Sequence, residues 1–62
     1  ENINFVVQIN GKKRGLIKAN RDISEDDIIN LIKKNVEINK YIKNQELKKK
    51  IFVPNKLINI II

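Results

Sequence analysis

The sequence predicts a small α+β domain of order ββααββ, with two β-hairpins in a single-layer sheet and two short helices between them on one face. Three observations support this prediction. Apolar and polar residues alternate before an Asn-Gly pair near the amino terminus, apolar residues recur at helical spacing in the middle, and β-branched residues flank a Pro-Asn pair near the carboxyl terminus. Because 62 residues suffice for one hydrophobic core only, we expect a single domain over residues 1–62.

The first hairpin is predicted over residues 3–9 and 12–19, joined at Asn10-Gly11. A two-residue loop would set Phe5 opposite Leu16 and would turn three cationic side chains towards the apolar face. A three-residue loop shifts the pairing by one residue, so that Phe5 shares a face with Ile17. Because burial favours the second arrangement, we expect a three-residue loop with a left-handed glycine, which makes a bulged hairpin.

This register distributes the cations of the second strand. Lys12, Arg14 and Lys18 are expected together on the outer, solvent-facing side of the sheet, beside Gln8. Lys13 is expected at the rim of the inner face, near the hairpin tip.

Ser24 gives the clearest helix-start signal, because it precedes the acidic residues 25–27 as the N-cap of a near capping box. These carboxylates, with Asp22, are interpreted as a structural group near the positive end of a helix and not as a metal site. Asn35 interrupts the apolar spacing and separates two helices, and Asn44 is expected to end the second one. The apolar stripes are predicted at Ile28, Leu31, Ile32 and Val36 in the first helix and at Ile38, Tyr41 and Ile42 in the second.

The second hairpin is predicted near the carboxyl-terminal end. Residues 48–53 form the third strand, and Pro54-Asn55 makes the turn, with proline supplying the fixed φ. Residues 57–62 form the fourth strand. Apolar residues on both of its sides predict a central position that is covered on both faces.

The composition limits the functions open to this chain. It has a formal charge of +6 and no His, Cys, Met or Trp. Without the usual general bases and thiol nucleophiles, the fragment itself is not expected to be an enzyme. No stretch is long and apolar enough for a membrane span. The charge favours a polyanionic partner, either nucleic acid or an acidic membrane surface, although AT-rich codons also favour Lys, Asn and Ile.

The cations form three sets that merge into one basic patch if the hairpins lie side by side. With only three aromatic residues, recognition of single-stranded bases by stacking is disfavoured, and contacts to the backbone of a folded RNA are favoured. The sets are Lys12, Lys13, Arg14 and Lys18 on the first hairpin, Lys40 and Lys43 on the second helix, and Lys48, Lys49, Lys50 and Lys56 on the second hairpin.

Residues 7–15 are Val-Gln-Ile-Asn-Gly-Lys-Lys-Arg-Gly. They resemble the segment Val-Gln-Val-Asn-Gly-Lys-x-Arg-Gly in the C-terminal domain of bacterial leucyl-tRNA synthetases. Residues 40–42, Lys-Tyr-Ile, resemble its Lys-Tyr-Leu, and residues 49–61 resemble its ending Val-Val-Pro-Gly-Lys-Leu-Val-Asn-Ile-Val. Three positions depart from the family pattern, namely Lys13, Lys50 and Asn55. Asn55 replaces Gly after Pro, and because Asn tolerates a positive φ, the turn is expected to survive.

The resemblance implies a C-terminal appendage of a larger cytoplasmic synthetase, joined to it through a flexible linker and monomeric in isolation. It implies binding to the outer elbow of leucine tRNA isoacceptors, where the D and T loops meet, in support of aminoacylation and editing. The parent would be an ATP-dependent leucine–tRNA ligase. ATP and Mg²⁺ would bind elsewhere in that enzyme, since its His-Ile-Gly-His and Lys-Met-Ser-Lys-Ser signatures are absent here. Neither a cofactor nor a membrane partner is expected for the fragment.

The resemblance also indicates which residues meet RNA. Asn59, another matched position, is interpreted as making a hydrogen bond at a strand edge. The alternative function is a small protein-interaction module that uses a sheet edge or a helix face, motivated by Val6 and Leu16 on the outer face. RNA contact is expected at Lys12, Arg14 and Lys56, with charge support from Lys48 and Lys49 and a further matched cation at Lys40.

Overall fold

The computed structural model describes residues 1–43 and 45–62 and contains one sheet and two helices. The α+β class and the order ββααββ are as predicted. The elements are β1 (Asn2–Ile9), β2 (Lys12–Asn20), α1 (Glu25–Lys34), α2 (Val36–Ile42), β3 (Lys49–Val53) and β4 (Leu57–Ile61).

The four strands lie in the order β2-β1-β4-β3, so the two hairpins are side by side. Each hairpin is antiparallel, and the two inner strands β1 and β4 pair in parallel. The predicted central position of the fourth strand is confirmed. Its predicted covering on both faces is wrong: Ile58 and Ile60 are buried on the helix-bearing inner face, but Leu57 and Ile61 are only half-buried on the outer face.

The β1–β2 hairpin has the predicted register, with Phe5 opposite Ile17. The loop, however, contains only Asn10-Gly11, because Ile9 pairs directly with Lys12. Both loop residues have positive φ, 53° and 84°, as in a type I′ turn. The left-handed glycine is therefore confirmed, and the predicted three-residue loop is wrong.

A β-bulge at Arg14 restores the register inside the hairpin. Gln8 pairs with Lys13 and Val7 pairs with Gly15, which leaves Arg14 as the extra residue on β2. A longer loop and a bulge give the same pairing for the rest of the hairpin. The burial pattern therefore predicted this pairing correctly but could not distinguish a longer loop from a bulge.

The hydrophobic core lies between the inner face of the sheet and the two helices. Phe5, Ile28 and Ile58, from β1, α1 and β4, are fully buried within one cluster. The predicted helical stripes are partly wrong, because Ile29 is buried while Leu31 and Val36 are exposed. Val36 is 80% exposed because α1 ends before it and the chain turns into a new helix there.

Side chains cap both helices at their amino-terminal ends. Ser24 Oγ accepts a hydrogen bond from the amide of Asp27 at 3.1 Å, which confirms the predicted N-cap. Asn35 ends α1 and caps α2, since its Oδ1 accepts from the amide three residues later. Lys43, with a φ of 52°, follows α2 as its C-cap, and the predicted cap Asn44 lies outside the described residues. Within the two described parts of the chain, neither helix could cross a membrane.

Candidate nucleic-acid interface

The hairpin motif and the carboxyl-terminal motif meet at one end of the sheet. Because β1 and β4 run in parallel, the Asn10-Gly11 turn lies beside the end of β4, and we call this the tip end. The amide of Gly11 donates to Asn59 Oδ1 at 3.0 Å, and the amide of Ile62 donates to Asn10 Oδ1 at 3.0 Å. These two bonds fasten the turn to the sheet. Asn59 therefore makes a hydrogen bond as the sequence indicated, but it does so from the inner strand β4 and not at a strand edge.

The bulge divides the cations of β2 differently from the prediction. Lys12 pairs with the buried Ile9 and therefore stands at the rim of the inner face. Lys13 pairs with a residue of the outer face, where Lys18 also lies. The predicted outer group of Lys12, Arg14 and Lys18 is therefore wrong in two of its three members, and Lys13 is outward. The cause is the combination of a two-residue loop with a bulge that turns Arg14 to the helix side.

Arg14, Lys40 and Tyr41 form a group that we call the tyrosine cluster. The Arg14 Cζ atom lies over the Tyr41 ring at 4.5 Å from its centroid, and Lys40 Nζ lies 5.4 Å from it. These distances fall within the range of cation–π attraction. Lys40 Nζ also approaches Glu37 Oε2 at 3.5 Å on an exposed helix surface. Tyr41 was counted in the apolar stripe of the second helix, and the structure places it at the surface, 36% exposed.

Gly15 brings α2 close enough to β2 for this cluster to form. A Cβ atom at Gly15 would lie only 3.0 Å from Cγ1 and Cδ1 of Ile38, a residue buried to 2% exposure in α2. A side chain at this position would therefore push α2 away. A bulge and a close backbone approach, the two usual reasons for a glycine inside a strand, thus occur at the adjacent residues Arg14 and Gly15.

Lys48 and Lys49 lie at the tip end, on the opposite edge of the sheet. The amide of Lys48 donates to the carbonyl of Ile61 at 2.8 Å, and Lys49 pairs with Ile61 on the outer face. Three strand spacings separate them from Lys12, or roughly 14 Å. Two groups of cations therefore border the same end of the domain.

Lys56 is not part of this group. It lies in the β3–β4 turn, where its carbonyl accepts from the amide of Val6 at 3.1 Å. Val6 is three residues before Ile9, the last residue of β1, so this level lies about 10 Å from the tip end. Asn55, with the positive φ of 61° that the sequence allowed for, holds the turn to Asp22 through hydrogen bonds of 2.7 and 2.8 Å.

Carboxylates gather at the end of the sheet away from the tip. Glu1 precedes β1 and lies 4.0 Å from Arg21, while Asp22 and the acidic residues 25–27 follow β2. Within the described residues, neither Lys12 nor Arg14 forms an ion pair. The tip end thus carries cations without carboxylate partners, while the opposite end carries a group of carboxylates, so that an anion is attracted to the tip.

The outer face carries a row of aliphatic side chains that the sequence revealed only in part. Leu16, Val6, Leu57 and Val53 are paired in succession across all four strands. Leu16 and Val53 are 49% and 38% exposed. The alternating pattern identified Val6 and Leu16, but the continuation needed the strand order, which the sequence did not give.

Comparison with known proteins gives a consistent result, although no protein-family model matches the chain. The leucine–tRNA ligase of Orientia tsutsugamushi is 48% identical over 62 residues, which are 100% of this chain and 7% of that protein. The leucine–tRNA ligase of Helicobacter pylori is 50% identical over 54 residues, covering 87% of this chain and 6% of that protein. The chain thus spans less than a tenth of the length of these relatives.

A solved structure resembles the fold closely. The LeuRS chain in the ternary LeuRS–tRNA–LeuAMS complex from Agrobacterium radiobacter K84 matches with a TM-score of 0.88 and 33% identity, over 98% of this chain and 8% of that chain. The likeness includes the whole sheet and both helices, because almost every residue is covered. The resemblance indicated by the motifs is therefore confirmed, and the chain is similar from end to end to one domain-sized segment of the bacterial leucine–tRNA ligases.

Proposed function

We propose that this chain is the C-terminal tRNA-binding appendage of a leucine–tRNA ligase and contacts the elbow of leucine tRNA, where the D and T loops meet. The observation that carries the proposal is the match, with a TM-score of 0.88, to a synthetase chain solved together with tRNA. The distribution of charge within the domain supports it, since Lys12, Lys48 and Lys49 border one end and the acidic residues 25–27 lie towards the other. Under this proposal the parent enzyme holds ATP and Mg²⁺, and the appendage binds RNA without taking part in the chemistry.

The tip end is the surface proposed to meet the RNA backbone. Arg14 offers a planar guanidinium that can fork onto two phosphate oxygens, whereas Lys12 acts as a point charge. Lys48 and Lys49 extend the positive surface along the same end. Lys56 would meet a separate part of the RNA, because it lies at the other end of β4.

Deletion of the appendage from the parent ligase tests this function. We expect weaker tRNA binding and slower aminoacylation, while leucine activation, measured by pyrophosphate exchange without tRNA, is unchanged. The reason is that the deleted residues would bind RNA and not ATP or leucine. If tRNA affinity is the same with and without the appendage at every salt concentration, the proposal is wrong.

A second candidate, a protein-interaction module, is favoured by one observation. The aliphatic row on the outer face is partly exposed across all four strands. Titration of this isotopically labelled chain with leucine tRNA separates the two functions by its chemical-shift changes. Changes at residues 12–14 and 48–49 support tRNA binding at the tip end, whereas no change with tRNA, together with changes along the aliphatic row on adding the rest of the synthetase, supports protein docking.

A further inference from the structure

Tyr41 is the only tyrosine of the chain, and its surroundings differ from those of the other two aromatic residues. Phe5 and Phe52 stack on each other at the core with ring centroids 6.3 Å apart. Tyr41 instead lies at the surface of α2, with one cation from β2 and one from its own helix near its ring. The ring therefore contributes to the surface of the domain and not to its core.

Two features of the backbone place the Arg14 guanidinium at this ring. The β-bulge turns the Arg14 side chain to the helix side of the sheet. Gly15, the next residue, lets α2 approach β2 so that Tyr41 comes within 4.5 Å. A regular strand, or a larger residue after Arg14, would separate the two groups.

The partner of Arg14 leaves its hydrogen-bond donors available. Arg21, the other arginine, faces the carboxylate of Glu1 at 4.0 Å. In the described parts of the chain, Arg14 has no such carboxylate, and an aromatic ring attracts the cation without taking up its directional N–H donors as a carboxylate does. The contact thus limits the freedom of a long side chain while its charge stays available to a ligand.

We propose that Tyr41 is a positioning residue, which holds the Arg14 guanidinium in place for an RNA phosphate. This inference rests on the proposed tRNA-binding function. Tyr41 acts through Arg14 and does not itself contact the RNA, so that its effect on affinity depends on the arginine being present. Only the ring is needed, because the attraction arises from the ring face and not from the hydroxyl.

A double-mutant cycle in the parent ligase tests the positioning role. Tyr41→Phe should bind tRNA as the unaltered protein does, and Tyr41→Leu should bind about two- to fivefold more weakly, the range of an exposed cation–π contact. In an Arg14→Ala background, Tyr41→Leu should have no further effect. If Tyr41→Leu binds as the unaltered protein does, or if its loss adds in full to that of Arg14→Ala, the positioning role is wrong.

The geometry is tested separately in this chain without RNA. The side-chain protons of Arg14 should resonate upfield because of the ring current of Tyr41, and this displacement should persist in Tyr41→Phe and vanish in Tyr41→Leu. Backbone amide spectra of all three proteins control for folding. If the displacement is absent from the unaltered chain, the proposal is wrong whatever the binding data show. If the displacement is present but deletion of the appendage leaves tRNA affinity unchanged, the proposed function has failed, and with it the role of Tyr41 in RNA binding. If tRNA affinity depends on the appendage but not on Arg14, only the role of Tyr41 has failed.

Discussion

Asparagine side chains fasten the turns of this small domain to distant parts of the chain. The bonds from Asn10, Asn55 and Asn59 join residues that are 52, 33 and 48 positions apart in sequence. A chain of 62 residues without cysteine has no disulfide to close such loops. Each of these bonds is exposed, so that each stabilises the fold by about 0.5–1.5 kcal/mol at most. Together they fix the positions of both hairpin turns.

Substitution of Asn55 separates its hydrogen bonds from its backbone conformation. Asn55→Gly keeps the positive φ but removes both bonds to Asp22, and we expect the free energy of unfolding to fall by about 1 kcal/mol. Asn55→Ala also strains the backbone, and we expect a loss of about 2 kcal/mol. Urea denaturation measures both values. Equal stability of Asn55→Gly and the unaltered chain would show that the bonds to Asp22 contribute nothing.

At the scale of elements, the sequence predicted what depends on local patterns and missed what depends on pairing between distant strands. The N-cap at Ser24 and the hairpin at Asn10-Gly11 are local signals, and both are present in the structure. The bulge at Arg14 was not predicted as such, because a longer loop satisfies the same burial pattern. The predicted face of Arg14 was consequently wrong. The contact of Arg14 with Tyr41 could not be predicted either, because it depends on how α2 packs against β2.

Gly15→Ala tests how closely α2 packs on β2. The added methyl group would lie 3.0 Å from Ile38, which is buried and has little room to move. We expect a loss of about 1–2 kcal/mol in the free energy of unfolding, the usual cost of overpacking. Denaturation by urea provides the measurement.

Ile38→Val supplies the matched partner for that substitution, because it removes Cδ1, one of the two Ile38 atoms that the new methyl group would meet. Alone it should cost about 0.5–1.5 kcal/mol. The double variant Gly15→Ala/Ile38→Val should lose less than the sum of the single losses. Strict additivity would mean that the two positions are not in contact and that α2 lies elsewhere.

For the whole molecule, the parallel pairing of β1 with β4 determines where the charges lie. It brings the start of β3 and the tip of the first hairpin to one end, with Lys12 at one edge and Lys49 at the other. The acidic residues 25–27 and Glu1 lie towards the opposite end. The order of strands could not be derived from the sequence, so the merging of two basic segments at one end became visible only in the folded chain. Lys56, predicted as part of the same surface, is separated from it for the same reason.

The salt dependence of tRNA binding distinguishes a located interface from the effect of net charge. Arg14→Ala and Arg21→Ala each remove one positive charge, but Arg21 lies at the acidic end, beside Glu1. In the parent ligase, Arg14→Ala should lower the slope of log Kd against log salt concentration by roughly one, because one phosphate contact is lost. Arg21→Ala should leave the slope unchanged. Equal reductions in both variants would mean that the domain attracts RNA through its overall charge of +6 and has no preferred tip-end surface.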